Sequence, residues 1–237
     1  MTEVVPRDAA TVCVRRPSES GFEVLMVQRT RAADFMGGDW VFPGGAVDEI
    51  DRDEAPMSGL PDELAGAGAA ALRELAEEAG VWLTDPPVDA ALAAEWQPLR
   101  DLPLYDAVRS TGRRLTGEAL AFFAHWVTPA GQPIRFDARF FVCEAPAGTD
   151  AVADENEVHD ATWISPADAL GRDDSGEWAI PFPTLRTLEV LARFESTTAV
   201  MEHVRSLEEV ERIVPRIVTD SEGRIGILLP GDPGYDS

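Results

Sequence analysis

Lysine is absent from this chain. Its 237 residues carry 20 arginines and 3 histidines against 43 acidic side chains, for a net charge of −23 at pH 7. An arginine-only basic complement fits a GC-rich coding genome, so no single Arg marks a site by itself. A surface this acidic argues against nucleic acid or an anionic membrane as the main partner, because both are negatively charged. Cysteine is scarce too: Cys13 and Cys143 lie in apolar, strand-like runs and read as buried free thiols, not as a disulfide or catalytic pair. No apolar run approaches membrane-spanning length. The first residues lack the apolar core of a signal peptide, and Tyr235-Asp236-Ser237 is no peroxisomal tripeptide. The expected setting is a reducing cytoplasm. His125 and His159 are isolated, and neither has a partner at metal-ligand spacing.

Hydrophobic residues make up 45% of the chain, enough for one substantial core. Strands are expected at residues 10–15 and 22–29 around a turn at 18–21, then at 39–42, 124–127, 138–143 and 161–164. Residues 46–60 are acidic and broken by Pro56 and Gly59, so they read as a loop. A helix is expected over 61–79. Pro61 suits its first turn, Asp62 and Glu63 suit the positive end of its dipole, and Gly80 suits its stop. Residues 84–124 read as helical pieces broken by prolines. Ser165 caps a short helix to Leu170, with further helices at 183–194 and 198–210. A terminal hairpin pairs 213–218 with 224–229 across 220–223. Strands and helices in this order imply an α/β fold with a mixed sheet between helical layers.

Within the first long helix, Arg73, Glu74, Glu77 and Glu78 fall at helical spacing. Carboxylates at i, i+3 and i+4 share one face and repel one another. The plain reading is a solvated face with weak i,i+4 pairs. The alternative is a divalent cation, since hard ions prefer carboxylate oxygens. Ala67, Ala70 and Ala71 continue that face, and their small side chains would leave room for a substrate.

Upstream lies the turn Phe42-Pro43-Gly44-Gly45. Followed by Arg-Glu-apolar-x-Glu-Glu-x-Gly-apolar, it resembles the Nudix box of hydrolases that cleave a diphosphate linked to another moiety. The resemblance implies an α/β/α sandwich over residues 8–195, with a loop insertion at 46–60 and a helical insertion at 84–124. Residues 196–237 would be an extension packed on that core. The resemblance further implies Mg2+ or Mn2+ held by Glu74, Glu77, Glu78 and the Gly45 carbonyl. Arg73 would orient the acidic cluster by charge-assisted hydrogen bonding. The metals would neutralise the diphosphate and lower the pKa of the attacking water. The general base would be a box Glu or one on a later loop, where Glu155 and Glu157 stand; the alternative for that pair is a solvated acidic loop. In the family the Arg-Glu pair follows the box glycine by about fourteen positions; here Arg73 follows Gly45 by 28, an insertion of about fourteen. The family's extra Glu, eight positions before the Arg, would fall on Ala65, with Glu63 and Asp62 as nearby substitutes.

Three stretches resemble the coenzyme A and peroxisomal acyl-CoA diphosphatase subgroup: Leu25 to Thr30 with Gly38 and Phe42, the long box insertion, and the apolar runs around Trp126 to Pro129, Arg135 to Phe141 and Trp163 to Pro166. Asp34 stands where that pattern has Arg. The implied reaction is hydrolysis of CoA or acyl-CoA to 3′,5′-ADP and a 4′-phosphopantetheine. The rivals are an ADP-ribose or other nucleoside-diphosphate-sugar hydrolase, and a Nudix-fold binding module without activity. Arg29 and Arg31, with Gly44 and Gly45, are the candidate substrate contacts; core-edge salt bridges are the alternative for both arginines. Arg135 and Arg139 would face either site or solvent, while Trp40, Trp96, Trp126 and Phe141 read as core. The terminal segment from Leu228 to Tyr235 would cap the core, border the pocket or pair with a second subunit in a homodimer.

Overall fold

Apolar residues at every second position give the central strands two buried faces. In β1 (Arg7–Ser18), Val12 and Val14 join one core and Cys13 the other; in β2 (Gly21–Arg29), Leu25 and Val27 oppose Val24 and Met26. The computed structural model describes residues 3–31, 36–219 and 223–235. Asp34, residues 220–222 of the expected turn at 220–223, and the last two residues lie outside them.

Two short strands follow, β3 (Trp40–Val41) and β4 (Gly44–Ala46). Next come a small helix α1 (Glu49–Asp53), a 3-10 turn at Ala55–Ser58 and the long helix α2 (Asp62–Ala79). A short hairpin, β5 (Thr84–Asp85) with β6 (Arg114–Leu115), brackets helices α3 (Ala90–Trp96) and α4 (Asp101–Ser110). The sheet resumes with β7 (Ala121–Val127), β8 (Phe136–Glu144) and β9 (Val158–Ile164). Helices α5 (Pro166–Asp174), α6 (Phe182–Leu191) and α7 (Thr197–Arg205) precede β10 (Arg212–Ile213) and the pair β11 (Arg216–Thr219) and β12 (Ile225–Leu228).

Eight strands form one mixed sheet in the order β10-β7-β8-β1-β2-β3, with β4 on β1 and β9 on β2. The β1–β8 and β7–β10 pairs are parallel. Helices α2, α3 and α4 cover one face through Leu72, Leu75, Trp96, Leu104 and Tyr105. Helices α5, α6 and α7 cover the other through Ala169, Leu188, Leu191, Val200 and Val204. The result is the α/β/α sandwich that the motif implied.

One departure from a regular sheet positions everything that follows. β1 and β2 pair only from Arg15 to Ser18 against Gly21 to Val24, then part. Into the fork go β4, which takes Ala9 to Thr11, and β3, which takes Val27 and Gln28. The Pro43 carbonyl accepts from Val12 N at 2.9 Å, so the Pro-Gly-Gly turn is held in the cleft of the fork.

The structure corrects several expectations. Residues 46–60 are not loop alone: Asp48 and Asp51 form a capping box that starts α1. Residues 84–124 contain the β5–β6 hairpin, and β7 begins at Ala121 because its residues pair with β8. The expected strand 213–218 is two strands. Pro215 separates β10, on the sheet edge, from β11, which pairs with β12. Helix α2 matches its expected span, with Gly80 in the left-handed region at φ 64° as its C-cap.

Candidate active site

The fork brings the turn glycines against α2. Gly44 N donates to Glu78 Oε2 at 2.9 Å. Gly45 pairs with Ala10, and a Cβ there would fall inside van der Waals contact of the Glu74 carboxylate. Both positions need glycine because a carboxylate or a strand backbone fills the space a side chain would take.

Glu74 and Glu78 are one helical turn apart and buried. One oxygen from each, with one from Glu157, lies within 4.8 Å of the others. Glu157 comes from the loop before β9. Its carbonyl accepts from Thr30 N at 2.9 Å, just beyond the end of β2. Arg29, the last residue of β2, places Nη1 3.9 Å from Glu78 Oε1. That Oε1 is buried and has no hydrogen-bond partner among the described residues.

Burial and like charge make this cluster costly without a cation. Burial pushes the Glu74 carboxyl up to about 7, with Glu77 and Glu157 adding to the rise and Arg73 opposing it. Burial, then the Glu74 charge, raises Glu78 well above the usual carboxylate range. Three convergent carboxylates, one with a buried oxygen lacking a hydrogen-bond partner among the described residues, are donors of the kind a hard divalent ion prefers. The residues fit such an ion.

Glu77 faces elsewhere. Its Oε2 accepts from Arg73 Nη1 at 3.0 Å, and its Oε1 accepts from Asp101 N at 2.7 Å at the start of α4. It lies outside the grouping of Glu74, Glu78 and Glu157, though it was expected to share their role.

Arg73 is 3% exposed and surrounded by acceptors. Nε and Nη2 donate to Asp51 Oδ1 and Oδ2 at 2.7 and 2.9 Å, a bidentate pair. Nη1 also lies 2.9 Å from Glu74 Oε1. Burial alone would lower its pKa; the Asp51 hydrogen bond and the surrounding carboxylates outweigh that and raise it. Asp51 is fully buried and accepts a further bond from Tyr105 Oη at 2.8 Å.

Asp51 is the residue that the motif reading missed. Counting eight positions back from Arg73 reached Ala65, which is buried in α2. Counting from Gly45 would have found Asp51, six positions on, the place the motif gives its extra acid. The insertion follows that acid instead of preceding it. Glu63 and Asp62 are exposed at the start of α2.

Arg31 is exposed, and Glu155 is exposed with φ 60°. Ala67, Ala70 and Ala71 are packed in the core and leave no room for a ligand. Arg135 is buried on Thr128 O, Val4 O and Glu3, and Arg139 pairs with Asp8 and Asp137. Trp40, Trp96, Trp126 and Phe141 are core. His125 pairs with Asp137 at 2.5 Å.

A family model described as the NUDIX domain matches residues 5–184. The chain belongs to the Nudix family. Human acyl-coenzyme A diphosphatase NUDT19 is 32% identical, over 96% of this chain and 76% of that protein. The Gallus gallus protein of the same name is 28% identical, over 97% and 79%. A crystal structure of a NUDIX hydrolase from Alicyclobacillus acidocaldarius superposes with TM-score 0.74 at 29% identity, covering 84% of this chain and 96% of that one. This Nudix chain is a hydrolase of phosphoric anhydride bonds, and Nudix hydrolases in general work with divalent cations. No helix among its described residues is long and apolar enough to cross a membrane.

Proposed function

We propose that this Nudix hydrolase cleaves the diphosphate of CoA or acyl-CoA, giving 3′,5′-ADP and 4′-phosphopantetheine or its acylated form. The convergence of Glu74, Glu78 and Glu157 within 4.8 Å carries the reaction class. The 32% identity to an acyl-coenzyme A diphosphatase across nearly the whole chain supports the substrate.

Glu74, Glu78 and Glu157 would hold Mg2+ or Mn2+, with the Gly45 backbone beside Glu74. A bound divalent cation would neutralise diphosphate oxygens and make a nearby water more acidic. Arg73 spreads its guanidinium over Asp51, Glu74 and Glu77, and by engaging Glu74 Oε1 it restrains the Glu74 rotamer. The Gly44 N–H fixes Glu78 in the same way. Arg29 faces the cluster from β2 and can meet a phosphate oxygen. Glu157, the exposed member, stands on the later loop where a general base was expected and would accept the proton of the attacking water, with a box Glu as the alternative. One P–O bond to the bridging oxygen breaks, one forms to the water oxygen, and two phosphomonoesters leave. A small diphosphate is the only partner the reading requires. Two unpaired buried thiols, Cys13 and Cys143, fit a reducing cytoplasm.

The test is a panel assay with Mg2+ and Mn2+. CoA, acyl-CoA, ADP-ribose and nucleoside-diphosphate sugars are compared by kcat/KM. CoA thioesters should lead; turnover of ADP-ribose hundreds of times faster would overturn the substrate. Silence on the whole panel with both metals would favour a binding module.

A further inference from the structure

One buried side chain gathers the backbone of the loop carrying Glu157. Asp154 is buried, its side chain 1% exposed. Its Oδ1 accepts from the backbone N–H groups of Asn156, Glu157 and Val158 at 3.2, 3.1 and 3.0 Å. Three amides converging on one carboxylate form a tight turn, with Glu155 at φ 60° between them. The turn delivers Glu157 beside Glu74 and Glu78.

The other oxygen of Asp154 reaches the helical insertion. Arg100 Nη2 donates to Asp154 Oδ2 at 3.0 Å, while its Nη1 donates to Gln97 O and Leu99 O at 2.8 and 2.7 Å. The guanidinium is thus fixed by the α3–α4 connection before it meets Asp154. The next residue, Asp101, donates its N–H to Glu77 on the box helix. The start of the loop is tied to the same helix, through Val152 N to Ala79 O at 2.9 Å.

We propose that Asp154 is a positioning residue that holds Glu157 in the carboxylate cluster, and that Arg100 brings the α3–α4 insertion into that task. The inference rests on the reading that Glu157 belongs to the hydrolytic site. Neither residue touches the cluster. Their effect runs through the backbone of residues 156–158, and it predicts that the insertion supports chemistry besides filling space. Outer-sphere partners of this kind typically change metal affinity or activity by about 10–100-fold when removed.

The experiment compares Asp154→Ala, Asp154→Asn, Arg100→Met and Glu157→Gln with the parent, using CoA and ADP-ribose as substrates. Asp154→Ala should lower kcat by about 10–100-fold with KM changed less than about threefold, and weaken Mn2+ binding read by calorimetry. Asp154→Asn keeps an oxygen able to accept the three amides and should recover part of kcat. Arg100→Met, at a partly exposed site, should fold normally and lower kcat by a smaller factor. Hydrogen exchange of amides 156–158 should quicken in Asp154→Ala while the α2 amides stay protected. Unchanged kcat in both Asp154→Ala and Arg100→Met, with Glu157→Gln impaired, overturns the positioning role alone. Unchanged kcat in Glu157→Gln overturns the site reading beneath it. If Asp154→Ala does not fold, Asp154→Asn and Arg100→Met decide, and parent-like kcat and Mn2+ affinity in both reject the proposal.

Discussion

Asp51 and Arg73 form a buried bidentate pair across a gap of 22 positions, with Arg73 Nε 2.7 Å from Asp51 Oδ1. Removing one partner of such a pair leaves an uncompensated charge in the core, at a cost of about 3–5 kcal/mol. Asp51→Ala should therefore lose stability of that order in urea melts and lose turnover, because Arg73 no longer holds Glu74. Asp51→Glu should recover part of both. Full stability and full kcat in Asp51→Ala would show that Glu77 and Glu74 suffice for Arg73.

Glu78→Gln should cut turnover by orders of magnitude while the protein stays folded. Its buried Oε1 has no hydrogen-bond partner among the described residues, so the loss falls on cation binding and not on packing. In EDTA the variant should melt at or above the parent temperature at neutral pH, since it buries no charge there. Hydrolysis at the parent rate would remove Glu78 from the mechanism.

Metal-free protein should lose stability as pH rises from about 4.5 to about 7. Burial raises Glu74 from 4.5 to about 7, and Glu77 and Glu78 are raised as well. Across that window the unfolded chain has released protons that the folded cluster still holds, so unfolding releases protons and becomes easier as pH climbs. Mg2+ should restore the melting temperature more at pH 8 than at pH 5. A melting temperature in EDTA that is flat over this range counts against an uncompensated cluster.

Gly45→Ala and Gly44→Ala should differ in kind. At Gly45 the new methyl meets the Glu74 carboxylate, a side-chain end that can yield only by loosening its contact with Arg73; at Gly44 it meets the Ala10 carbonyl and Thr11 Cα of the neighbouring strand. The first variant should fold with weakened Mn2+ binding and reduced kcat. The second should lose stability outright. Equal melting temperatures for both variants would contradict this division.

Much of the fold was legible because its signals are local. Alternating apolar positions in β1 and β2, the Gly80 stop of α2 and the Ser165 cap each depend on a few adjacent residues. The order of the box glycines and the acidic helix likewise pointed to the site. What stayed hidden depends on distance in sequence. Asp51 was lost because the insertion moved it away from Arg73. Glu77 and Glu78 are neighbours on the helix, yet only the fold shows Glu78 turned to Gly44 and Glu77 to Asp101. The alanines of α2 read as a floor for ligand, but a helix pressed on the sheet, with Tyr105 of α4 bonded to its Ala69 carbonyl, needs small residues simply to fit. Nothing in the spacing around Asp154 signals that its carboxylate gathers three amides.

The Asp51–Arg73 pair acts as a clasp at the base of the inserted segment. Closing a longer loop costs little more than closing a short one, on the order of 1 kcal/mol for a threefold increase in length. Length can therefore change beyond the clasp at little cost to the carboxylates above it. Sequence there is less free: Ser58 is fully buried and Met57 and Leu60 pack on the core, so evolution, or a protein engineer, can extend the segment more readily than it can rewrite those three positions.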